Sequence, residues 1–375
     1  MIIGIPKEIK NHEYRVGMIP SSVREAISQG HQVYVETNAG TGIGFSDDDY
    51  IAVGASILPT ADDIFAKAEM IVKVKEPLNV ERKKLRKGQI LFTYLHLAPN
   101  FPQTDELIKS KAICIAYETV KDSLGHLPLL APMSEIAGRM SIQAGAQSLE
   151  KSHGGQGILL SGVPGVAPAK VVILGGGVVG ANAARMAVGL RADVTVMDKN
   201  IETLRLLDSE FRGSIKLVYA NDASIEQFLS DADLIIGAVL VPGATTPKLI
   251  NKQHLAIMKP GSVIVDVAID QGGCVETSRP TTHDAPTFVI DDIVHYCVAN
   301  MPGAVAKTAT YALNNATLPY ILKIASLGVK KALLNDKGLR NGLNVIHGYV
   351  TCKEVADSLD LLYTDPVEAL QHLTL

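Results

Sequence analysis

The chain has 375 residues, 47% hydrophobic and 20% charged, the balance of a soluble globular protein with room for two cores. Its formal net charge of -4 is too small to call for nucleic acid or acidic lipid as a partner. Tryptophan is absent and aromatics reach only 5%, so the apolar content is aliphatic, which favours buried parallel strands covered by helices.

The chain opens on MIIGI (1–5), a short strand running into charged residues rather than the long apolar core of a signal peptide. A helix, SSVREAISQGH, ends at Gly30, and further strands are expected in HQVYVE (31–36), MIVKVKE (70–76), QILFTYLHL (89–97) and KAICIAYE (111–118). After Pro128 and Pro132 the texture changes, and Ser134 is placed to cap a helix that stops at Gly154 and Gly155. A second α/β unit follows, with strands expected at 171–175, 193–198, 215–219, 233–241, 262–269 and 287–291. Residues 302–328 read as a long helix with a kink at Pro319, and the tail from Lys330 is helical in texture. The apolar stretch 171–190 is interrupted by Asn182 and Arg185, which argues against a membrane span. Cys114, Cys274, Cys297 and Cys352 lack ligand spacing, which fits a reduced, cytoplasmic compartment without a disulfide framework.

The expected fold is α/β, with two Rossmann-like domains built on parallel sheets. A cofactor domain, 131–304, is inserted into a discontinuous substrate domain formed by 1–130 and 305–375, with the helices near 134–152 and 303–325 as connectors.

Gly175, Gly177 and Gly180 form G-x-G-x-x-G directly after a β-branched strand. The first glycine permits a tight turn, the second lets a pyrophosphate approach the backbone, and the third lets helix and strand pack closely. Asp198 ends the next strand, where a carboxylate can bind both hydroxyls of an adenosine ribose and would repel a 2′-phosphate; this favours NAD over NADP. FAD and S-adenosylmethionine sites share part of the pattern.

In an open parallel sheet, ligands bind beyond the carboxyl ends of the strands. Arg15, Lys75 and His96 all fall there, as does Asp270 on the second unit, and the four are expected to face one cleft. Arg15 offers a planar fork for a carboxylate. Lys75 could polarise a carbonyl oxygen or act on the carboxylate as a point charge. His96 can exchange a proton near neutral pH, and Asp270 could orient an amine or water. Such a set suits two-electron oxidation at a carbon bearing an amine or an alcohol, and the residues alone do not choose between them. His12, His126 and His283 form no coherent ligand set, so no catalytic metal is expected.

GIPKEIKNHEYRVGMIP (4–20) closely resembles a signature shared by bacterial L-alanine dehydrogenases and the cofactor-binding subunit of nicotinamide nucleotide transhydrogenases. GGGVVGANAARMAVGLRADVTVMD resembles the second shared signature. The likeness to alanine dehydrogenase extends through AVLVPGATTPKLI, VIVDVAIDQGGCVETSRPTTHDAPTF and YCVANMPGAVAKTATYALNNATLPY, nearly the whole chain.

This resemblance implies reversible NAD-linked deamination of L-alanine to pyruvate and ammonium, in a family that usually forms hexamers. It makes His96 and Asp270 catalytic and assigns Arg15 and Lys75 to the keto acid, with Met133 and Asn300 at the substrate. Implied cofactor contacts are Ser134, Gly175, Gly177, Val178, Val179, Gly180, Asp198, Val239, Leu240, Val267, Ala268, Ile269, Asp270, Arg279, Val298, Ala299, Asn300 and Met301. Thr203 and Ala220 occupy further cofactor positions where many relatives carry a basic residue and a serine. Against a transhydrogenase subunit, a saccharopine-type dehydrogenase and a non-catalytic NAD sensor, retention of Arg15, Lys75, His96 and Asp270 together favours the alanine enzyme.

Overall fold

The structure, a computed structural model, describes residues 1–239 and 246–371. It divides into two compact units, Met1–Pro132 with Val305–Leu375, and Met133–Ala304.

The first unit carries strands β1 (Ile2–Ile5), β2 (Gln32–Glu36), β3 (Ser56–Leu58), β4 (Met70–Val72), β5 (Ile90–Thr93) and β6 (Ile113–Ala116). The second carries β7 (Lys170–Leu174), β8 (Asp193–Asp198), β9 (Lys216–Tyr219), β10 (Leu234–Gly237), β11 (Val263–Asp266), β12 (Thr287–Ile290) and β13 (Ile293–Tyr296). The chain then returns to the first unit for β14 (Leu343–Ile346) and β15 (Tyr349–Val350).

Among the described residues the first sheet has eight strands, ordered β15-β14-β6-β5-β4-β1-β2-β3, and the second has seven, ordered β12-β13-β11-β10-β7-β8-β9. Strands β1 to β6 pair in parallel, and so do β7 to β11 with β13. Only the edges turn antiparallel, at β6/β14/β15 and at β12/β13. Each sheet therefore contains the doubly wound order 3-2-1-4-5-6, whose direction reverses between β1 and β4 in one unit and between β7 and β10 in the other. Ligand sites in such sheets form at that reversal, off the carboxyl ends of the strands.

Alternation explains why the second sheet is covered on both faces. Val171, Ile173, Leu234 and Ile236 pack into one core cluster, while Val172, Leu174, Ile235 and Ile264 pack into another. In the first unit Ile71, Leu91 and Cys114, from three neighbouring strands, pack with Ile64 and Phe65 of the helix Ala61–Lys67.

Several expected elements are corrected. The helix expected to start at Ser134 runs instead over Ala131–Ser148, so Ser134 lies within its first turns and cannot be its cap. Pro132 fits that first turn, where a backbone N–H would be unpaired anyway. The expected strands 70–76 and 89–97 end early, at Val72 and Thr93, and the strand expected over 262–269 passes into a 3-10 turn at Val267–Gln271. The segment 287–291 is only the antiparallel edge. The sixth parallel strand is β13, reached through a two-residue turn at Asp291 (φ 48°) and Asp292 (φ 60°). The tail contains the β14–β15 hairpin, turned at His347 (φ 51°) and Gly348 (φ 97°). Pro319 sits inside the helix Ala306–Leu327.

Candidate functional site

Off the carboxyl edge of the first sheet the loop after β1 brings in Arg15, only 2% exposed. Its Nε donates to Glu13 Oε1 at 2.7 Å and its Nη2 to Glu13 Oε2 at 2.6 Å. Burial alone would lower the guanidinium pKa; the hydrogen bonds and charge of Glu13, with Tyr94 and Glu8 nearby, outweigh it and hold the value above the ordinary one. Arg15 is thus a fixed, charged fork rather than a solvated surface charge.

The two lysines after β4 divide sharply in role. Lys73 is 1% exposed, and its Nζ lies 2.9 Å from Glu8 Oε2 and 2.7 Å from Glu81 Oε1. Lys75 is also buried, yet among the described residues its ammonium has no hydrogen-bonding or ion-pairing partner. Its backbone is nonetheless fixed. Val74 N and Lys75 N donate to Glu8 Oε1 at 2.7 and 3.4 Å, and Thr93 Oγ1 donates to Lys75 O at 3.0 Å. Glu8, from the same loop as Arg15, thus grips the end of β4. Burial raises its carboxyl pKa, and Lys73 only partly offsets that.

His96 stands three residues past β5 in a left-handed backbone conformation, φ 49°. Its side chain is 43% exposed, and its ring stacks on Tyr94 with centroids 5.9 Å apart and an interplanar angle of 7°. The backbone N–H of His96 donates to Glu118 Oε1 at 2.6 Å, and that of Leu95 donates to both Glu118 oxygens, at 3.1 and 3.2 Å. Glu76 links the two candidate residues electrostatically. Burial would raise its carboxyl, but Lys75, Lys10 and His96 hold it below the usual range, and Lys10 Nζ pairs with it directly. Arg15, Lys75 and His96 therefore follow three strands that are adjacent in the order β1-β4-β5, sharing Glu8 and Glu76 between them.

In the second unit the glycine loop joins β7 to the helix Val178–Gly189. Gly175 adopts φ 101°, and a Cβ on Gly180 would fall 1.8 Å from Gly175 O, so neither position tolerates a side chain. Gly177, the residue before the helix, differs: a Cβ there would meet nothing within 4 Å. Packing does not require that glycine, and the open space beside unpaired helix N–H groups fits an approaching pyrophosphate. Asp198 Oδ2 accepts from Gly176 N at 2.7 Å and Oδ1 from Asn200 N at 2.8 Å. An ionised carboxylate has about four acceptor sites, so this pinned group retains capacity for ribose hydroxyls. Thr203 and Ala220 both border the same corner. Thr203 Cγ2 lies 2.9 Å from where a Gly176 Cβ would stand, and Ala220 N donates to Asp198 O at 3.0 Å.

The other candidates of this unit mostly follow the same carboxyl edge. Val239 follows β10; Leu240 lies outside the described residues. Val267, Ala268, Ile269 and exposed Asp270 occupy the 3-10 turn after β11, and among the described residues the Asp270 carboxylate has no partner. The loop beyond it is clamped from two sides. Asp266 accepts from Cys274 N and Val275 N, each at 3.2 Å, while Lys248 Nζ donates to the carbonyls of Gly272, Gly273 and Val275 at 2.6, 2.9 and 3.1 Å. Val298 and Ala299 follow β13, with Ala299 N donating to Thr281 O at 3.3 Å. Asn300 is left-handed at φ 65°, and Met301 starts a buried 3-10 turn. Arg279 places its guanidinium 4.3 Å from the centroid of Phe288. Met133 and Ser134 lie on the helix Ala131–Ser148, where a Cβ on Gly138 would fall 2.2 Å from Val179 O, so this helix touches the one opened by the glycine loop.

Sequence reasoning missed Glu13, Lys73 with Glu81, the grip of Glu118, and Lys248. Among the described residues no group of three or more His, Cys, Asp or Glu side chains could hold a metal ion, and no helix is long and apolar enough to cross a membrane.

A parallel sheet whose first strand turns through glycines into a helix, with a carboxylate ending the next strand, defines a dinucleotide-binding α/β protein. Comparison with known proteins narrows this class. Residues 4–137 match the family described as alanine dehydrogenase/PNT, N-terminal domain, and residues 141–353 match its C-terminal domain. This chain belongs to the alanine dehydrogenase/PNT family. It is 57% identical to an alanine dehydrogenase of Halomonas elongata, over 97% of this chain and 98% of that one, and 54% identical to one of Bacillus subtilis, over 99% and 98%. A solved L-alanine dehydrogenase superposes with a TM-score of 0.92 at 54% identity, covering 96% of this chain and 99% of the other. A transhydrogenase from Sinorhizobium meliloti shares the fold, with a TM-score of 0.81 at 23% identity over 94% and 100%.

Proposed function

We propose that this protein is an NAD-linked L-alanine dehydrogenase, converting L-alanine, NAD+ and water reversibly into pyruvate, ammonium, NADH and a proton. The observation that carries the reading is the trio after β1, β4 and β5: a rigid Arg15 fork, a buried Lys75 ammonium without a protein partner among the described residues, and a half-exposed His96. Relatives spanning the full chain are alanine dehydrogenases, which supports an amine rather than an alcohol as the group oxidised.

Arg15 binds the substrate carboxylate, and Lys75 supplies positive charge at the carboxylate and carbonyl region, where it stabilises oxygen as negative charge develops. A bound nicotinamide would supply the acceptor for the hydride of the alanine Cα. His96 acts as general base for the water that adds to the resulting iminium carbon, then returns the proton as the carbinolamine collapses to pyruvate and ammonia. Asp270 orients water and ammonia, and Met133 and Asn300 bound the small substrate.

Gly175, Gly177 and Gly180 with Val178 and Val179 receive the pyrophosphate. Asp198 takes the adenosine ribose hydroxyls and disfavours a 2′-phosphate, which supports NAD over NADP. Thr203 and Ala220, beside Asp198, leave adenine recognition to apolar contact. The remaining cofactor contacts are the residues 239, 267–270, 279 and 298–301 with Ser134. The reading extends to a hexameric assembly, which the family resemblance supports and sedimentation velocity tests, and to a cytoplasmic site of action, which the scattered cysteines support.

The direct test supplies pyruvate, ammonium and NADH and follows NADH absorbance, then repeats without ammonium and with NADPH. Turnover that requires ammonium and NADH is the expected result. Protein that binds NADH yet shows no ammonium-dependent turnover would remove alanine dehydrogenation from consideration.

A further inference from the structure

The left-handed backbone of His96 needs a cause. At a non-glycine residue this conformation crowds Cβ against the following carbonyl, and it persists only where the surroundings over-determine it. Three side chains act on this turn. Tyr94 stacks its ring on the imidazole and anchors its hydroxyl on Leu129 O at 2.5 Å. Gln103 Nε2 donates to Leu95 O at 2.7 Å. Glu118, on the 3-10 turn Tyr117–Thr119 just past β6, accepts the N–H groups of both Leu95 and His96. Among the described residues it is the only side chain that hydrogen-bonds the backbone of His96 itself. At 2.6 Å the bond is short for N–H···O. The same Oε1 lies 4.0 Å from His96 Nδ1.

This arrangement has a counterpart one strand over. Glu8, from the loop after β1, accepts the N–H groups of Val74 and Lys75 just past β4. In the order β6-β5-β4-β1 the two inner strands carry His96 and Lys75, and the two outer strands lead into the carboxylates that grip them.

We propose that Glu118 is the positioning residue for His96. Its carboxylate, arriving from the neighbouring strand, fixes the left-handed turn and so sets where the imidazole stands for proton transfer. This deepens the alanine dehydrogenase reading and rests on His96 being its proton carrier. Glu118 itself exchanges no proton with substrate.

The experiment is a double-mutant cycle on amination of pyruvate, with NADH binding measured in every variant. Glu118→Ala should lower kcat by about ten-fold or more while the NADH dissociation constant stays within about twofold. Glu118→Gln, which keeps an acceptor oxygen for the same N–H groups, should recover most of that loss. In a His96→Ala background Glu118→Ala should cost nothing further, because a residue acting through His96 has nothing left to position. A Glu118→Ala kcat within about twofold of the parent, or losses that multiply independently in the double variant, would overturn the proposal.

Amide hydrogen exchange of the unmutated protein gives a second measurement that needs neither a folded variant nor turnover. The His96 N–H, in a half-exposed residue, should be protected, and exchange at the rate of an open loop would equally overturn the assignment. Absence of turnover in the parent protein would count against the alanine reading alone, since the exchange result judges the Glu118 contact by itself.

Discussion

At the carboxyl edge of the first sheet stand charges: Arg15 on Glu13, Lys73 between Glu8 and Glu81, Lys75 beside Glu76. At the same edge of the second sheet stand backbone amides and small residues, Gly175 to Gly180, with Asp198 and Asp266 turned inward onto N–H groups. The order of the six parallel strands is the same in both. What differs is the loops, and under the proposed function the difference matches what each edge would hold. A small charged acid requires buried cations, and buried cations require counter-charges behind them. A dinucleotide can be met by backbone N–H groups, which carry no net charge but demand glycine where the chain must come close.

The comparison is broken most severely at His96. His96→Ala should lower turnover by about a hundred- to ten-thousand-fold while leaving NADH binding intact, since the ring belongs to the charged edge and not to the glycine loop. Unchanged steady-state rates would withdraw the proton-carrier role.

The next largest effect separates two lysines two residues apart. Lys73→Met leaves Glu8 and Glu81 buried without their counter-ion and should cost about 3–5 kcal/mol of stability in urea. Lys75→Met removes an ammonium that has no such pair. Its stability cost should stay within about 0.5–3 kcal/mol, the ordinary range for a point substitution, while the KM for pyruvate rises. Equal stability losses in the two variants would show that Lys75 is structural as well.

The smallest effect sharpens the other side. Gly180→Ala forces a methyl against Gly175 O and should cost about 1–3 kcal/mol even without cofactor. Gly177→Ala should leave apo stability within about 0.5 kcal/mol and weaken NADH binding about ten-fold by filling the space for pyrophosphate. If Gly177→Ala binds NADH normally, the loop does not cradle the cofactor in the way proposed.

The α/β class and the glycine turn could be read because aliphatic runs bounded by glycine and acidic residues report strand ends locally. The positions of Arg15, Lys75 and His96 past β1, β4 and β5 followed from the same signal, although β4 and β5 stop four residues sooner than the expected strands 70–76 and 89–97. Other elements left a readable trace that went unused. Asp291–Asp292 and His347–Gly348 each separate β-rich runs by two residues, the spacing of a tight hairpin turn. Cross-element pairing left no such trace. Nothing local distinguishes Lys73 from Lys75, because what separates them is Glu81 on the helix Asn79–Arg82, and the partner of the His96 turn lies 22 residues downstream at Glu118. Side-chain register along one strand is periodic; the choice of partner from another strand is not.

The bracket made by Lys248 has a mechanical meaning for Asp270. Its ammonium spends all three protons on the carbonyls of Gly272, Gly273 and Val275, and Asp266 takes amides of the same segment. Peeling this segment away would strand five hydrogen bonds at once, despite two adjacent glycines that would otherwise make it supple. Asp270, in the 3-10 turn just before this held segment, keeps rotation about its own side-chain bonds while the backbone that follows it stays put.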